Sequence, residues 1–170
     1  IAALSKVKVV YTDLDGTLLA PGGTLLNDDA GSPSLATAEA LIALRGAGID
    51  VVPVSGRNRI QMEEITRMIG VEDFISELGG ITSLGRFPNV TLSVDRGVWP
   101  DDTLPGSTPV EVAHAIGVVE TLMEAFPGMI EVHHPWSDDR EVTVVLRGRI
   151  DPMLAAQVLS TIEPAFTLLD

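Results

Sequence analysis

The chain has 170 residues, 45% hydrophobic and 21% charged, which is enough apolar material for a sizeable core. Its 11 Lys+Arg against 24 Asp+Glu give a formal charge of -13, a field that repels nucleic acid and anionic membranes, so neither is an expected partner. With no cysteine, disulfides and thiolate metal sites are excluded, and no apolar run approaches the roughly 20 residues of a membrane span.

Residues 7–11, Val-Lys-Val-Val-Tyr, are β-branched and aromatic and run into Asp13-Leu14-Asp15-Gly16, predicting a buried strand that ends in a loop. Ser32-Pro33 then offers an N-cap and a proline at the first helical position. Leu35, Ala38, Leu41 and Ile42 fall on one face before Gly46 and Gly48, so a helix is expected there. Residues 49–54 predict a second buried strand, Ser55-Gly56-Arg57 a turn, and Met62, Ile65 and Ile69 a second helix ended by Gly70. Phe74-Ile75-Ser76 is a third, short strand. Strand, helix, strand, helix, strand is the order of a parallel sheet with right-handed crossovers, whose ligands gather at strand C-terminal ends.

After Gly79-Gly80 the texture changes to short runs broken by glycine and proline, read as hairpin and linker, with a boundary near residue 84. Thr108-Pro109-Val110-Glu111 is a capping box. Val112, Ala115, Ile116, Val119, Leu122, Met123 and Phe126 follow at helical spacing, predicting one long helix to Pro127-Gly128. Residues 129–133 and 141–147 predict a hairpin around Ser137-Asp138-Asp139, Asp151-Pro152 caps a helix through Ile162, and residues 166–169 suggest a last strand. This half reads αββαβ.

The residues with the most chemistry are Asp13 and Asp15. A carboxylate can attack phosphorus and divide one hard displacement into two easier ones, while a second carboxylate two residues on can shuttle the proton. Two acids facing a phosphate repel it, so a hard divalent cation, Mg2+, is the expected cofactor. An Asp-x-Asp-Gly loop is also an ordinary turn. The preceding strand, the neighbouring strand ending in Ser55 and the parallel order favour a site. Arg57 stands at a helix start, where it could touch phosphate, an ion pair within the core being the expected role. Arg59, His114, His133 and His134 are expected to be structural; Trp99, Trp136 and Arg140 lie in loops that could face a substrate but more often pack on their own domain.

Asp13-Leu14-Asp15-Gly16-Thr17 and the Ser55 at the end of the next strand resemble the first two motifs of the haloacid dehalogenase superfamily. Val54-Ser55-Gly56-Arg57 followed by Ser76-Glu77-Leu78-Gly79-Gly80 resembles its Cof-type, sugar-phosphate phosphatase branch. The resemblance implies an α/β fold, a partial Rossmann-like core over 1–84 with an inserted α+β cap over 85–170. It implies a Mg2+-dependent phosphomonoesterase acting on a small-molecule phosphate ester such as a sugar phosphate. Asp13 would be the nucleophile, Asp15 the general acid/base, and Leu14, Gly16, Thr17, Ser55, Gly56 and Arg57 the phosphate-binding residues. Metal contacts would come from the Asp13 carboxylate and the Asp15 carbonyl. A phosphomutase of the same superfamily and a non-catalytic binding or regulatory module are the alternatives. The family's later lysine and acidic pair have no counterpart, since the two lysines, Lys6 and Lys8, precede the first motif. These 170 residues are therefore expected to be part of a longer, cytoplasmic protein and inactive alone.

Overall fold

The computed structural model describes residues 6–85, 89–96 and 108–169. The chain divides into two compact units, Ile1–Ser93 and Val94–Asp170. Trp99 and the expected linker between residues 97 and 107 fall outside the described residues.

The first unit carries β1 (Val9–Asp13), α1 (Ala36–Gly46), β2 (Asp50–Val54), α2 (Arg59–Ile69), β3 (Phe74–Ser76), β4 (Ile81–Leu84) and β5 (Thr91–Val94). Its sheet runs in the order β1-β2-β3-β4-β5, with β1 and β3 parallel to β2 and β4 antiparallel to β3. This is the expected α/β architecture with a mostly parallel sheet. The run after Gly80, read from sequence as hairpin and linker, extends the same sheet as β4 and β5.

Four local expectations are corrected. First, β1 is not buried: Val9 is 39% and Tyr11 66% exposed, because the strand closes one edge of the described sheet and its alternate side chains meet no covering layer. Second, α1 starts at Ala36 rather than at Pro33. The Asp28 carboxylate accepts from Ala30 and Ser32 N–H groups at 3.0 and 2.8 Å, and Asp28 N–H donates to the Ser32 carbonyl at 2.9 Å, tying residues 28–32 into a turn. Third, the long helix of the second unit is broken into α3 (Pro109–Ala115) and α4 (Val118–Ala125) at Gly117, which is left-handed with φ of 74°. Its apolar face shifts accordingly: Val118, Val119, Leu122 and Phe126 are buried while Ile116 and Met123 are exposed. Fourth, residues 165–169 form no strand, so among the described residues that unit is α3, α4, the antiparallel hairpin of β6 (Ile130–Val132) and β7 (Leu146–Gly148), and α5 (Pro152–Leu159). The second hairpin strand also starts later than residue 141.

Two packing features place the site. In β2, Asp50 N–H donates to the Lys8 carbonyl and Ser55 N–H to the Ile75 carbonyl, so alternate residues face β1 and β3. Pro53 therefore turns its missing donor toward the β3 side, opposite position 73, where β3 has not begun. Beneath the strand ends, Leu14, Leu19, Met62 and Phe74 form a buried cluster, and Leu14 is 0% exposed. A side chain of the loop between Asp13 and Asp15 is thus an anchor of the core. The second unit has its own core of Ala113, Val118, Leu122, Phe126, Ile130, Ala155 and Leu159. Among the described residues no helix is long and apolar enough to cross a membrane.

Candidate active site

The parallel register pairs Asp13 with Val54, which puts Ser55, the next residue, beside the Asp13 loop at the C-terminal edge of the sheet. Strand separation of about 4.8 Å makes the two loops neighbours. The Asp13 carboxylate accepts a hydrogen bond from the Thr17 hydroxyl at 3.1 Å on Oδ2. Leu14 holds the loop from below, its carbonyl accepting from Leu19 N–H at 2.7 Å. Its side chain is wholly buried, so the backbone is what it can offer a ligand. Gly16 takes φ of 83°, a turn that glycine makes without penalty. Its N–H donates to the Leu19 carbonyl at 2.7 Å, so its part is conformational rather than that of a phosphate donor.

Arg57 reaches across from the second loop. Its Nε donates to Asp15 Oδ2 at 2.9 Å and its Nη2 to Oδ1 at 2.6 Å, a bidentate pair that remains partly solvated. These hydrogen bonds hold the Asp15 carboxyl below its ordinary value against the desolvation that raises it; the Arg57 charge and a hydrogen bond from Ser55 act in the same sense. Asp15 in turn raises the Arg57 guanidinium. Arg57 does form an ion pair, but with Asp15 at the partly solvated strand ends rather than within the core as expected. The Ser55 hydroxyl also accepts from Arg57 N–H at 3.2 Å, and α2 starts just beyond on an Asn58 and Gln61 capping box that fixes where the loop ends. That box, an Asn followed three residues later by Gln, was legible in the sequence and was missed.

A third segment closes on the same loop. Glu77 N–H donates to the Arg57 carbonyl at 3.0 Å and Leu78 N–H to the Ser55 carbonyl at 3.2 Å. Both residues are left-handed, with φ of 49° and 58°, and Glu77 is 1% exposed whereas Leu78 is 61% exposed. Sequence reasoning used residues 76–80 only through their resemblance. Nothing in the sequence pattern signals that a glutamate after a strand is buried.

The donor set suits a hard divalent cation in type, since the free Asp13 oxygen and the Asp15 carbonyl are both hard ligands. It is short in number: among the described residues no group of three or more His, Cys, Asp or Glu is arranged to hold a metal. Mg2+ ordinarily keeps several waters and takes substrate phosphate oxygens, so two protein oxygens are compatible with it. The other sequence candidates have local partners. Arg59 pairs with Glu63 one turn on, His134 with Asp138 at 2.6 Å, and the His133 and Trp136 rings meet edge-on at 6.4 Å. Arg140 donates to the Trp136 carbonyl and the Thr143 hydroxyl, both at 2.7 Å.

Residues 10–85 match the family model of the haloacid dehalogenase-like hydrolases. No curated protein matches the chain. Among solved structures it is similar to a haloacid dehalogenase-like hydrolase from B. subtilis, with 24% identity and a TM-score of 0.44 over 75% of this chain and 36% of that one. It is also similar to a Thermoplasma acidophilum protein, with 18% identity and a TM-score of 0.52 over 91% of this chain and 56% of that one. A haloacid dehalogenase-like hydrolase from Bacteroides thetaiotaomicron has 16% identity and a TM-score of 0.50 over 92% of this chain and 63% of that one. The chain thus spans between 36% and 63% of the length of these proteins. The last two support the fold.

Proposed function

We propose, from the match of residues 10–85 to the haloacid dehalogenase-like hydrolase family model, that the protein is a phosphomonoesterase that cleaves small phosphorylated metabolites through an aspartyl-phosphate. In this reading the first unit, Ile1–Ser93, is the N-terminal part of the catalytic core and the second an inserted cap, a boundary later than the one expected near residue 84. The observation that carries it is the adjacency of Asp13, Asp15 and Ser55 across the β1 and β2 ends, set by the Asp13 to Val54 register.

An Asp13 oxygen attacks phosphorus, the ester P–O bond breaks, and Asp15 protonates the departing alkoxide. Water then attacks the aspartyl-phosphate, gives its proton to Asp15, and frees the Asp13 carboxylate and inorganic phosphate. Thr17 keeps one Asp13 oxygen engaged, which directs the other at the ligand. The Ser55 hydroxyl, which donates to Asp15 in the resting site, turns its single proton to the transferred oxygens when the ester binds. Arg57 keeps Asp15 ionised at rest, the form needed to accept the proton from water; an arriving phosphate dianion opposes Arg57 electrostatically and favours the protonated form that the first step needs. A Mg2+ held by the Asp13 carboxylate and the Asp15 carbonyl would supply positive potential where a chain of charge -13 has little. The lining charge otherwise comes from Arg57.

In the full natural polypeptide with Mg2+ and p-nitrophenyl phosphate, Asp13→Asn should lose at least about a thousandfold in kcat, as removal of a nucleophile does. Turnover retained by that variant rejects the covalent route. The 170 residues alone should show little or no turnover.

A further inference from the structure

The segment following β3 holds a side chain that neither packing nor backbone preference accounts for. Leu78 is 61% exposed and sits at φ of 58°, a left-handed conformation that costs a bulky L-residue roughly 1–2 kcal/mol. Glu77 before it is left-handed as well, at φ of 49°, and Gly79 after it, at 102°, makes three positive φ values in succession. Such strain persists only where the surroundings over-determine it. Here they do, because the Glu77 and Leu78 N–H groups are tied to the carbonyls of Arg57 and Ser55. The side chain is laid over Gly56, with Leu78 Cδ2 3.3 Å from where a Cβ on Gly56 would stand. An apolar group is therefore pinned, uncovered, over the loop whose neighbours Ser55 and Arg57 engage the Asp15 carboxylate.

Resting on the phosphatase reading, we infer that Leu78 is a specificity-determining residue: an apolar lip that favours phosphate monoesters of unsubstituted alkyl chains over polyhydroxylated sugar phosphates. Ser55 and Arg57 recognise the phosphoryl group and cannot tell one alcohol from another. Leu78 can, because water displaced from its exposed methyls by CH2 groups is released, whereas a ring of hydroxyls placed against them loses hydrogen bonds. The substrate class narrows accordingly from small phosphate esters to those with an apolar carbon skeleton at the ester oxygen.

The test compares n-hexyl phosphate with glucose 6-phosphate, two primary alkyl esters with similar leaving groups, in the full natural polypeptide with Mg2+. The reading is the ratio of their kcat/KM values. Leu78→Asn should lower that ratio about tenfold, the size of effect that a few methylenes against an apolar wall produce, and Leu78→Met should keep it within about twofold. Leu78→Gly, which the left-handed φ favours, should lower the ratio equally while leaving the melting temperature unchanged or higher, since strain is relieved; a merely structural leucine would lower it. An unchanged ratio in Leu78→Asn and Leu78→Gly, with both esters still turned over, overturns the inference and leaves the phosphatase reading standing. Absence of turnover of either ester by the unsubstituted protein overturns both.

Discussion

In the first unit the Arg57 and Asp15 pair joins side chains 42 residues apart on neighbouring strand ends. The second unit pairs His134 with Asp138 four residues away, and Glu131 with Arg147 across its hairpin, all well exposed. Local and surface pairs form wherever helix or hairpin geometry brings opposite charges near, and they are worth little. A pair linking two loops exists only because the sheet brings the loops together, and it leaves a cation among acids at the one edge where a parallel sheet binds ligands. The cores differ in the same way. Leu14 is buried between two candidate catalytic residues, whereas the core of the second unit, around Leu122, carries no candidate catalytic group. The first unit has local helix pairs too, Arg59 with Glu63 and Arg67 with Glu64, but Arg57 and Asp15 add a pair at a tertiary junction, at the strand ends that hold the candidate site.

The strongest way to break that contrast is in the cores. Leu14→Ala and Leu122→Ala should each cost about 2–5 kcal/mol by urea unfolding, the range for large-to-small core changes. Their effects on chemistry should diverge: Leu14→Ala loosens the Asp13 and Asp15 loop and should lower turnover about a hundredfold below the unfolding transition, the cost of misplacing reacting groups by about 1 Å. Leu122→Ala should stay within a few-fold. Equal losses of turnover from both would erase the distinction between the units.

A smaller effect separates two glycines. Gly117 is left-handed at the break between α3 and α4, so Gly117→Ala should destabilise by about 1–2 kcal/mol. Gly46 ends α1 with nothing within 4 Å of an added Cβ and no positive φ, and Gly46→Ala should stabilise by about 0.4–1 kcal/mol. Thermal unfolding of both variants checks the pair, and a stabilising Gly117→Ala would show that the second unit's helix break is not imposed by that residue.

The smallest effect concerns the ion pair. The Asp15 carboxyl is lowered in the folded protein, so its contribution is fully present above the ordinary carboxylate range and disappears as pH falls through the lowered value. Arg57→Met should therefore reduce stability at neutral pH and flatten its decline in acid. Solvent screening keeps the change under about 1 kcal/mol. Arg147→Met in the second unit should stay within about 0.5 kcal/mol, as surface changes do. An acid profile unaltered by Arg57→Met would mean that the pair contributes nothing in solution.

The strand and helix order through β3 was readable mainly from its stops, since α1 buries only Leu41 of its expected face and leaves Leu35 and Ile42 exposed. Gly70 is left-handed at the end of α2, and further on Thr108 with Glu111 caps α3 as the pattern says. The readings that failed share a cause. Ser32-Pro33 has the residues of a helix start, but Asp28 captures those backbone groups first. The stripe from Val112 to Phe126 keeps helical spacing through Gly117, and spacing alone does not register a single left-handed residue. Residues 166–169 are apolar enough for a strand, yet no described strand lies beside them to complete a ladder.

Sequence by itself singled out Asp13, Asp15 and Ser55 as the candidate residues, because they follow strand ends and a parallel sheet leaves such residues little choice of where to gather. Tertiary structure alone decided how they are held: that Arg57 grips Asp15 rather than a core acid, that Leu14 anchors the loop, and that Leu78 is strained and uncovered over Gly56. The reason is range. Periodicity and capping act over a few residues and are written locally, whereas a contact between residues 15 and 57 or 56 and 78 depends on register and twist that no short stretch of chain encodes.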